Sequence, residues 1–222
     1  MKTHYYLSWF NDFLPEKLVK WLHEDIKDRK SLVMISAQPS GYKGEQVNID
    51  DVFERTWFNQ ADIIFDEYHL IDHRMQKEDA QRLIQNASVI FLCGGNPVLQ
   101  NDFLDEYELS DAIKNSNAVI MGASAGAINM AAKWLCSKKT GYEVETSTIY
   151  NGIGFDHFSY ESHSKLDYAA LVQGNLFPLS EKIDVYAAEQ ESAMRVKNGK
   201  IDIMGNVYLI SHSKIQKLVE TL

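Results

Sequence analysis

The sequence predicts an α/β protein: a mostly parallel sheet with helices on both faces. Three observations carry that expectation. Short apolar runs alternate with amphipathic stretches through the first 135 residues, the rhythm of strand–helix–strand units. The runs at Leu32–Ile35 and Ala118–Met121 are continuously apolar, as strands buried on both faces are. No Pro-, Gly- or Ser-rich linker divides the 222 residues, so residues 1–222 read as one domain.

The elements follow in order. His4–Phe10 reads as the first strand. Leu14–Ile26 carries Leu18, Val19, Leu22 and Ile26 at helical spacing. Ser31–Ser36 is a buried strand that Pro39-Ser40-Gly41 ends. Ile49–Ala61 reads as helix, Ile63–Leu70 as strand, and Lys77–Asn86 as a helix with Ala80, Leu83 and Ile84 inward. Ser88–Leu92 is the next strand, Asn96–Lys114 a helix, Ala118–Met121 a strand, and Ile128–Leu135 a helix. Beyond this the chain is β-rich, at Tyr142–Tyr150, Phe158–Ser162, Ile183–Ala188, Ala193–Val196 and Ile201–Ile210. Lys197-Asn198-Gly199-Lys200 marks a tight hairpin. These later strands and the added C-terminal β-hairpin are expected to extend the same sheet. Ser213–Leu222 reads as a short terminal helix.

Composition narrows the function classes. A net charge of −9 argues against a nucleic-acid or anionic-membrane partner. Cys93 and Cys136 form no C-x-x-C pair and are too few for a disulfide scaffold, so reduced thiols in the cytoplasm are expected. Met1–Tyr6 lacks the apolar core of a signal peptide, and no apolar run approaches the ~20 residues that span a bilayer. Trp9, Trp21, Trp57 and Trp134 are scattered as core residues are.

The chemistry centres on Gly122-Ala123-Ser124-Ala125-Gly126-Ala127, directly after the strand Ala118–Met121 and directly before a helix. A sharp turn of small residues between strand and helix lifts a serine hydroxyl out of its backbone as a nucleophile. A serine hydroxyl needs a base and donors for the oxyanion. One donor is expected to be the Ala125 amide, at a helix N-terminus. Others are the amides of Gly94 and Gly95 in Cys93-Gly94-Gly95-Asn96-Pro97, which follows the preceding strand; Asn96 and Pro97 also suit a helix cap and first turn. Three histidines follow the serine: His157, His163 and His212. Glu143, Glu145, Asp156, Glu161, Glu189 and Glu191 are the available acids. Spacing alone selects none of them.

Phe91–Asn96, Gly122–Ala127 and Gly152-Ile153-Gly154 followed by a histidine, taken together, resemble the peptidase E-like serine peptidases, which include alpha-aspartyl dipeptidases and cyanophycinases. The match in order and spacing covers roughly residues 85–165. The resemblance implies a flavodoxin-like, three-layer sandwich related to class I glutamine amidotransferases, a Ser–His–acid triad, and no metal or other cofactor. The family's histidine falls about nine residues after the G-x-G segment, which selects His163. Its acid lies between serine and histidine, where Glu143 is the nearest carboxylate. The aspartyl dipeptidases carry arginine after the histidine, whereas this chain reads Ser164–Leu171, with Lys165 the only cation there and no arginine before Arg195. The resemblance therefore does not carry over a preference for N-terminal aspartate.

The expected activity is hydrolysis of short peptides through an acyl-enzyme. Two other readings stay open at the level of sequence: an α/β-hydrolase-type esterase that uses His212, and an inactive relative that acts as a binding module. No H-G-G-G loop precedes the serine, which counts against the esterase.

Overall fold

The computed structural model describes residues 2–41, 45–137, 147–164 and 166–221. Glu143, Glu145 and Lys165 lie outside the described residues, as does most of the strand expected at Tyr142–Tyr150.

The first half alternates as its periodicity predicts. Its strands are β1 (Thr3–Leu7), β2 (Ser31–Ala37), β3 (Glu67–Ile71), β4 (Val89–Gly95) and β5 (Val119–Ala123). They pair in parallel in the order β1-β5-β4-β2-β3. The helices between them are α1 (Glu16–Asp25), α2 (Phe53–Gln60, after a 3-10 turn at Ile49–Asp51), α3 (Lys77–Asn86), α4 (Pro97–Glu106) and α5 (Leu109–Asn115). The helix expected over Asn96–Lys114 is thus two helices. Glu108, in the left-handed region at φ 53°, breaks it.

Alternation sends neighbouring side chains to opposite cores. Tyr5, Leu7, Met34 and Phe91 pack with Leu18, Leu22, Trp57 and Phe58 from α1 and α2. Tyr6, Val33, Ile35 and Leu92 face Ile84, Phe103 and Ile113 from α3, α4 and α5 on the other side. Two apolar cores on opposite faces make the sheet the middle layer of an α/β fold.

The second half departs from the expectation of one extended sheet. Only the hairpin β10 (Ala193–Lys197) and β11 (Lys200–Met204) joins the first sheet, antiparallel beside β1, making seven strands. Its turn residues Asn198 and Gly199 both have positive φ, 55° and 76°, as a type I′ turn demands. The other strands build a separate six-stranded sheet. They are β6 (Lys133–Cys136), β7 (Thr148–Asn151), β8 (Ser159–Ser162), β9 (Val185–Ala188), β12 (Val207–Ser211) and β13 (Lys214–Lys217). Tyr160 and Trp134 face the first sheet's core. Tyr160 meets Tyr6 at a ring distance of 5.4 Å. The outer face is covered by a helical segment that periodicity did not show: α7 (Ala169–Leu171), a π turn (Val172–Leu176) and α8 (Phe177–Ser180).

Two helix assignments are corrected. The helix after Ser124, α6 (Ala125–Met130), stops five residues before Leu135, and Lys133–Cys136 is strand. The reason is tertiary. The carbonyls of Asn129, Met130, Ala131 and Ala132 accept hydrogen bonds from the amides of residues 152–155, and Trp134 stacks on Tyr150 of β7 at 4.4 Å. The terminal helix expected over Ser213–Leu222 is instead β13. His212 and Ser213, at φ 46° and 57°, turn the chain back onto β12. All four β13 residues are exposed, so edge pairing rather than burial decides the conformation.

Glu161 of β8 is buried in this second sheet, and burial pushes its pKa from 4.5 up to about 8. A carboxyl raised on folding contributes stability below pH 4.5 that is lost as pH rises towards 8, by at most about 1.4 kcal/mol per pH unit. Glu161→Gln is therefore expected to gain stability relative to wild type between pH 5 and pH 8. Chemical denaturation at the two pH values checks this, since a constant packing cost cancels in the difference. An unchanged difference would show that Glu161 is not protonated in the fold.

Candidate active site

Four strand ends meet at one place. β1 leads into Ser8, β5 into Ser124, β8 into His163 and β9 into Gln190. Carboxyl ends of parallel strands are where α/β sheets form sites. Here two sheets contribute, because β8 and β9 run parallel to one another.

Ser124 sits on a strained turn, at φ 49° and ψ −111°. For a residue with a side chain such backbone costs of order 1–3 kcal/mol. The surroundings hold it. The Ser124 amide donates to the carbonyls of Leu7 and Ser8, both at 3.0 Å, and its carbonyl accepts from Ile128 in α6. The flanking glycines are sterically required. A Cβ at Gly122 would stand 2.5 Å from the Gly126 carbonyl carbon, and one at Gly126 only 2.0 Å from the Leu92 carbonyl oxygen. Helix α6 thus lies directly on β4 and β5, which a G-x-S-x-G turn permits and larger residues forbid.

His163 completes the pair. Its Nε2 is 2.9 Å from Ser124 Oγ, and its Nδ1 is 3.5 Å from Ser8 Oγ. The Gln190 side chain also hydrogen-bonds the ring and favours its charged form, but burial outweighs this and lowers the pKa below 6.5. Burial therefore favours the neutral imidazole, the form that can accept a proton. His163 itself has φ 55°, so the chain turns at the end of β8 rather than continuing the strand. His157 is exposed. His212 is exposed too and lies 3.6 Å from Glu181.

The G-x-G segment has a structural role. Gly152 abuts the Ala131 and Asn129 carbonyls, where a Cβ would come within 2.3 Å and 2.6 Å, and Gly154 adopts φ 75°. The segment caps the end of α6 and starts the chain towards His163.

The Gly94-Gly95-Asn96 turn divides into three roles. Asn96 caps α4: its side-chain oxygen accepts from the Val98 and Leu99 amides at 3.0 and 3.2 Å. Gly95 is exposed at φ 138°, a conformation that favours glycine. The Gly94 amide, expected to face an oxyanion, donates instead to the Glu54 carboxylate at 2.7 Å. Ala125, buried at the start of α6, presents an amide of the elbow helix.

Among the described carboxylates suggested by the sequence, Asp156 accepts from Tyr6 at 2.7 Å and pairs with His4 at 2.9 Å, and Glu189 accepts from Asn206 and Tyr208. Neither is available to steady His163. Arg195, the only arginine after the serine, binds Asp25 on the α1 face of the sheet. Among the described residues no group of three or more His, Cys, Asp or Glu side chains is arranged to hold a metal ion, and no helix is long and apolar enough to cross a membrane. Cys93 and Cys136 are free and buried.

Sequence reasoning missed Ser8, Gln190 and a buried amide network. Asn129 donates to Gln100 and to the Pro97 carbonyl and accepts from Asn101, while Gln100 reaches the Ile35 and Cys93 carbonyls. This network braces α6 against α4, so the two turns that face the site hold a fixed spacing. Polar residues at the buried helix positions Gln100, Asn101 and Asn129 are the signal that could have revealed it.

The profile of Peptidase family S51 matches residues 44–204 of this chain. A search of curated proteins finds no match. Among solved structures, a peptidase from an acI-B1 actinobacterium superposes with a TM-score of 0.68 at 17% identity, covering 99% of this chain and 94% of its own. A protein assigned to peptidase E from Listeria monocytogenes EGD-e gives 0.63 at 15% identity, covering 92% of this chain and 98% of its own. At these identities the superpositions speak for the fold, and the profile match, which spans well over half of the sequence, speaks for descent. By that match the chain belongs to peptidase family S51 and is a peptidase.

Proposed function

We propose that the protein is a serine peptidase that cleaves short peptides, in the manner of a dipeptidase, through an acyl-enzyme. The observation that carries this reading is the 2.9 Å contact between Ser124 Oγ and His163 Nε2 on a strained strand-to-helix turn. His163 takes the proton as Ser124 Oγ attacks the scissile carbonyl. The resulting imidazolium then protonates the leaving amine, and water hydrolyses the ester by the same route in reverse.

The amides of Ala125 and Gly95 are the donors assigned to the oxyanion, because the Gly94 amide is engaged by Glu54. Ser8 meets the ring at Nδ1, on its other side, and Gln190 adds a further hydrogen bond to it. The acid of the triad is assigned to Glu143, from its place between serine and histidine in the chain. Small peptides rather than nucleic acid or membranes are the partners, in keeping with the net charge of −9, and two free thiols suit the cytoplasm. The esterase alternative finds no support in the exposed His212.

A panel of di- and tripeptides varied at the N-terminal residue, assayed across pH, tests this. Turnover is expected with the acidic limb of kcat/KM below pH 6.5, because the base must be neutral and burial lowers its pKa. A limb above 6.5, or no peptide hydrolysed by protein that a fluorophosphonate labels at Ser124, overturns the assignment.

A further inference from the structure

Besides Glu161, a second buried acid stands without a counter-charge among the described residues. Glu54, in the first turn of α2, is 5% exposed. Its carboxylate accepts from the Gly94 amide at 2.7 Å, and burial raises its pKa. Its neighbour Arg55 turns away, pairing with Asp50 and lying 4.1 Å over the Tyr68 ring. Among the described residues no lysine or arginine pairs with Glu54. A carboxylate withdrawn from water without a cation is costly.

Glu54 lines a cavity of about 200 Å³ at the carboxyl ends of β2, β3 and β4, with Ala37, Leu70 and Gly94. The charged side chains that line it, Asp51 and Glu54, are both acidic. The cavity reaches the strand next to the nucleophile's. Gly94 belongs to β4, whose partner β5 leads into Ser124, and neighbouring strands lie about 4.8 Å apart.

One side of the cavity is formed by Phe53, which Trp9 backs. Trp9 follows Ser8, the residue that faces His163. Its ring lies against Gly94, 2.7 Å from where a Cβ would stand, and stacks on Phe53 at 5.6 Å and 19°. Phe53 lines the cavity and is 42% exposed, so it is a partner to solvent or ligand as much as to the core.

We propose that this cavity is the substrate subsite for a protonated amine, with Glu54 as its counter-charge and Phe53, backed by Trp9, as the wall along its hydrocarbon. The inference rests on the peptidase reading and adds the substrate class. A carboxylate beside aromatic faces recognises an ammonium by ion pairing and by cation–π attraction. An acidic substrate side chain would meet Asp51 and Glu54 and be repelled, and the nearby arginines are engaged elsewhere, Arg55 by Asp50 and Arg74 by Asp72. The amine is the peptide's α-ammonium or the side chain of an N-terminal lysine.

Ser124→Ala protein, which binds without turnover, is titrated by calorimetry with four probes: Lys-Ala-Ala, norleucine-Ala-Ala and their N-acetyl forms. The amine that occupies the subsite is expected to tighten binding at least tenfold. Acetylation removes that gain if it is the α-ammonium, and norleucine removes it if it is the side chain. Glu54→Gln in the same background is expected to erase the difference among probes, while the acetyl-norleucine peptide keeps its affinity. Equal affinity for all four probes overturns the proposal, as does a folded Glu54→Gln protein that keeps the preference. Should Glu54→Gln not fold, Phe53→Ala replaces it. Severalfold weaker binding of the amine probes alone supports the subsite, and an unchanged pattern rejects it. Binding and turnover separate the two readings. Amine-selective binding without hydrolysis by wild type defeats the peptidase assignment only. Hydrolysis indifferent to amines defeats the subsite only.

Discussion

Ser124→Ala is expected to lower kcat/KM for short peptides by about four orders of magnitude or more, the loss typical of removing a triad nucleophile. The turn itself should survive, because its backbone bonds to Leu7 and Ser8 do not involve the hydroxyl. Melting temperature is therefore expected to hold or rise slightly, as alanine removes one polar group from a half-buried position. His163→Ala should cost a similar factor. The double variant should cost little more than either single one, because nucleophile and base act as a unit across their 2.9 Å contact. His212→Ala should leave turnover unchanged, since that residue is exposed and paired with Glu181. Steady-state kinetics on purified variants decides the matter. Hydrolysis by Ser124→Ala within tenfold of wild type would remove the serine from the mechanism, and loss confined to His212→Ala would replace the base.

Gly126→Ala is expected to be the most damaging single-methyl change in the turn. The added Cβ would stand 2.0 Å from the Leu92 carbonyl oxygen and 2.5 Å from its carbon. Both are backbone atoms of β4, held in the sheet between β2 and β5, so neither side can yield by a rotamer change. Overpacking usually costs 1–3 kcal/mol, and rigid backbone on both sides puts this case at about 3 kcal/mol or above. For a chain of this size that is a fall in Tm of roughly 6–12 °C. Activity should fall further than stability alone explains, because α6 must lift off β4 and carry Ser124 away from His163. Gly199→Ala is the control. That hairpin glycine has no heavy atom within 4 Å of the added Cβ, so only its positive φ of 76° is strained, and kcat should not change. A Tm for Gly126→Ala within 2 °C of wild type would show that the turn relaxes and that its glycines are not sterically required.

The legibility of the chain tracks how local each interaction is. Strand–helix alternation in the first half was readable because β1, β2, β4 and β5 are buried on both faces and each helix buries one stripe. Lys77–Asn86 was read to its ends for this reason. The serine turn was readable because close packing of α6 on β4 and β5 writes itself into the sequence as two glycines four residues apart. The second half was harder. Ile128–Leu135 has the apolar content of a helix, but hydrogen bonds from residues 152–155 stop α6 at Met130. Lys214–Lys217 became an edge strand through pairing with β12, a partner that no periodicity within the segment reveals.

Of the site, the sequence by itself determined the strained serine, the small residues around it and the chain order of the candidate base. Those depend on backbone sterics within a few residues. Only the tertiary structure decided which histidine meets Ser124, since His157 and His163 lie six positions apart and just one turns out of β8 towards the first sheet. The fold alone also placed Ser8 and Gln190 at His163, moved the Gly94 amide onto Glu54, and left that buried acid facing a cavity. These contacts join residues 27 to 155 positions apart. Each is set by how strand ends from two sheets converge, a geometry that local propensity does not encode.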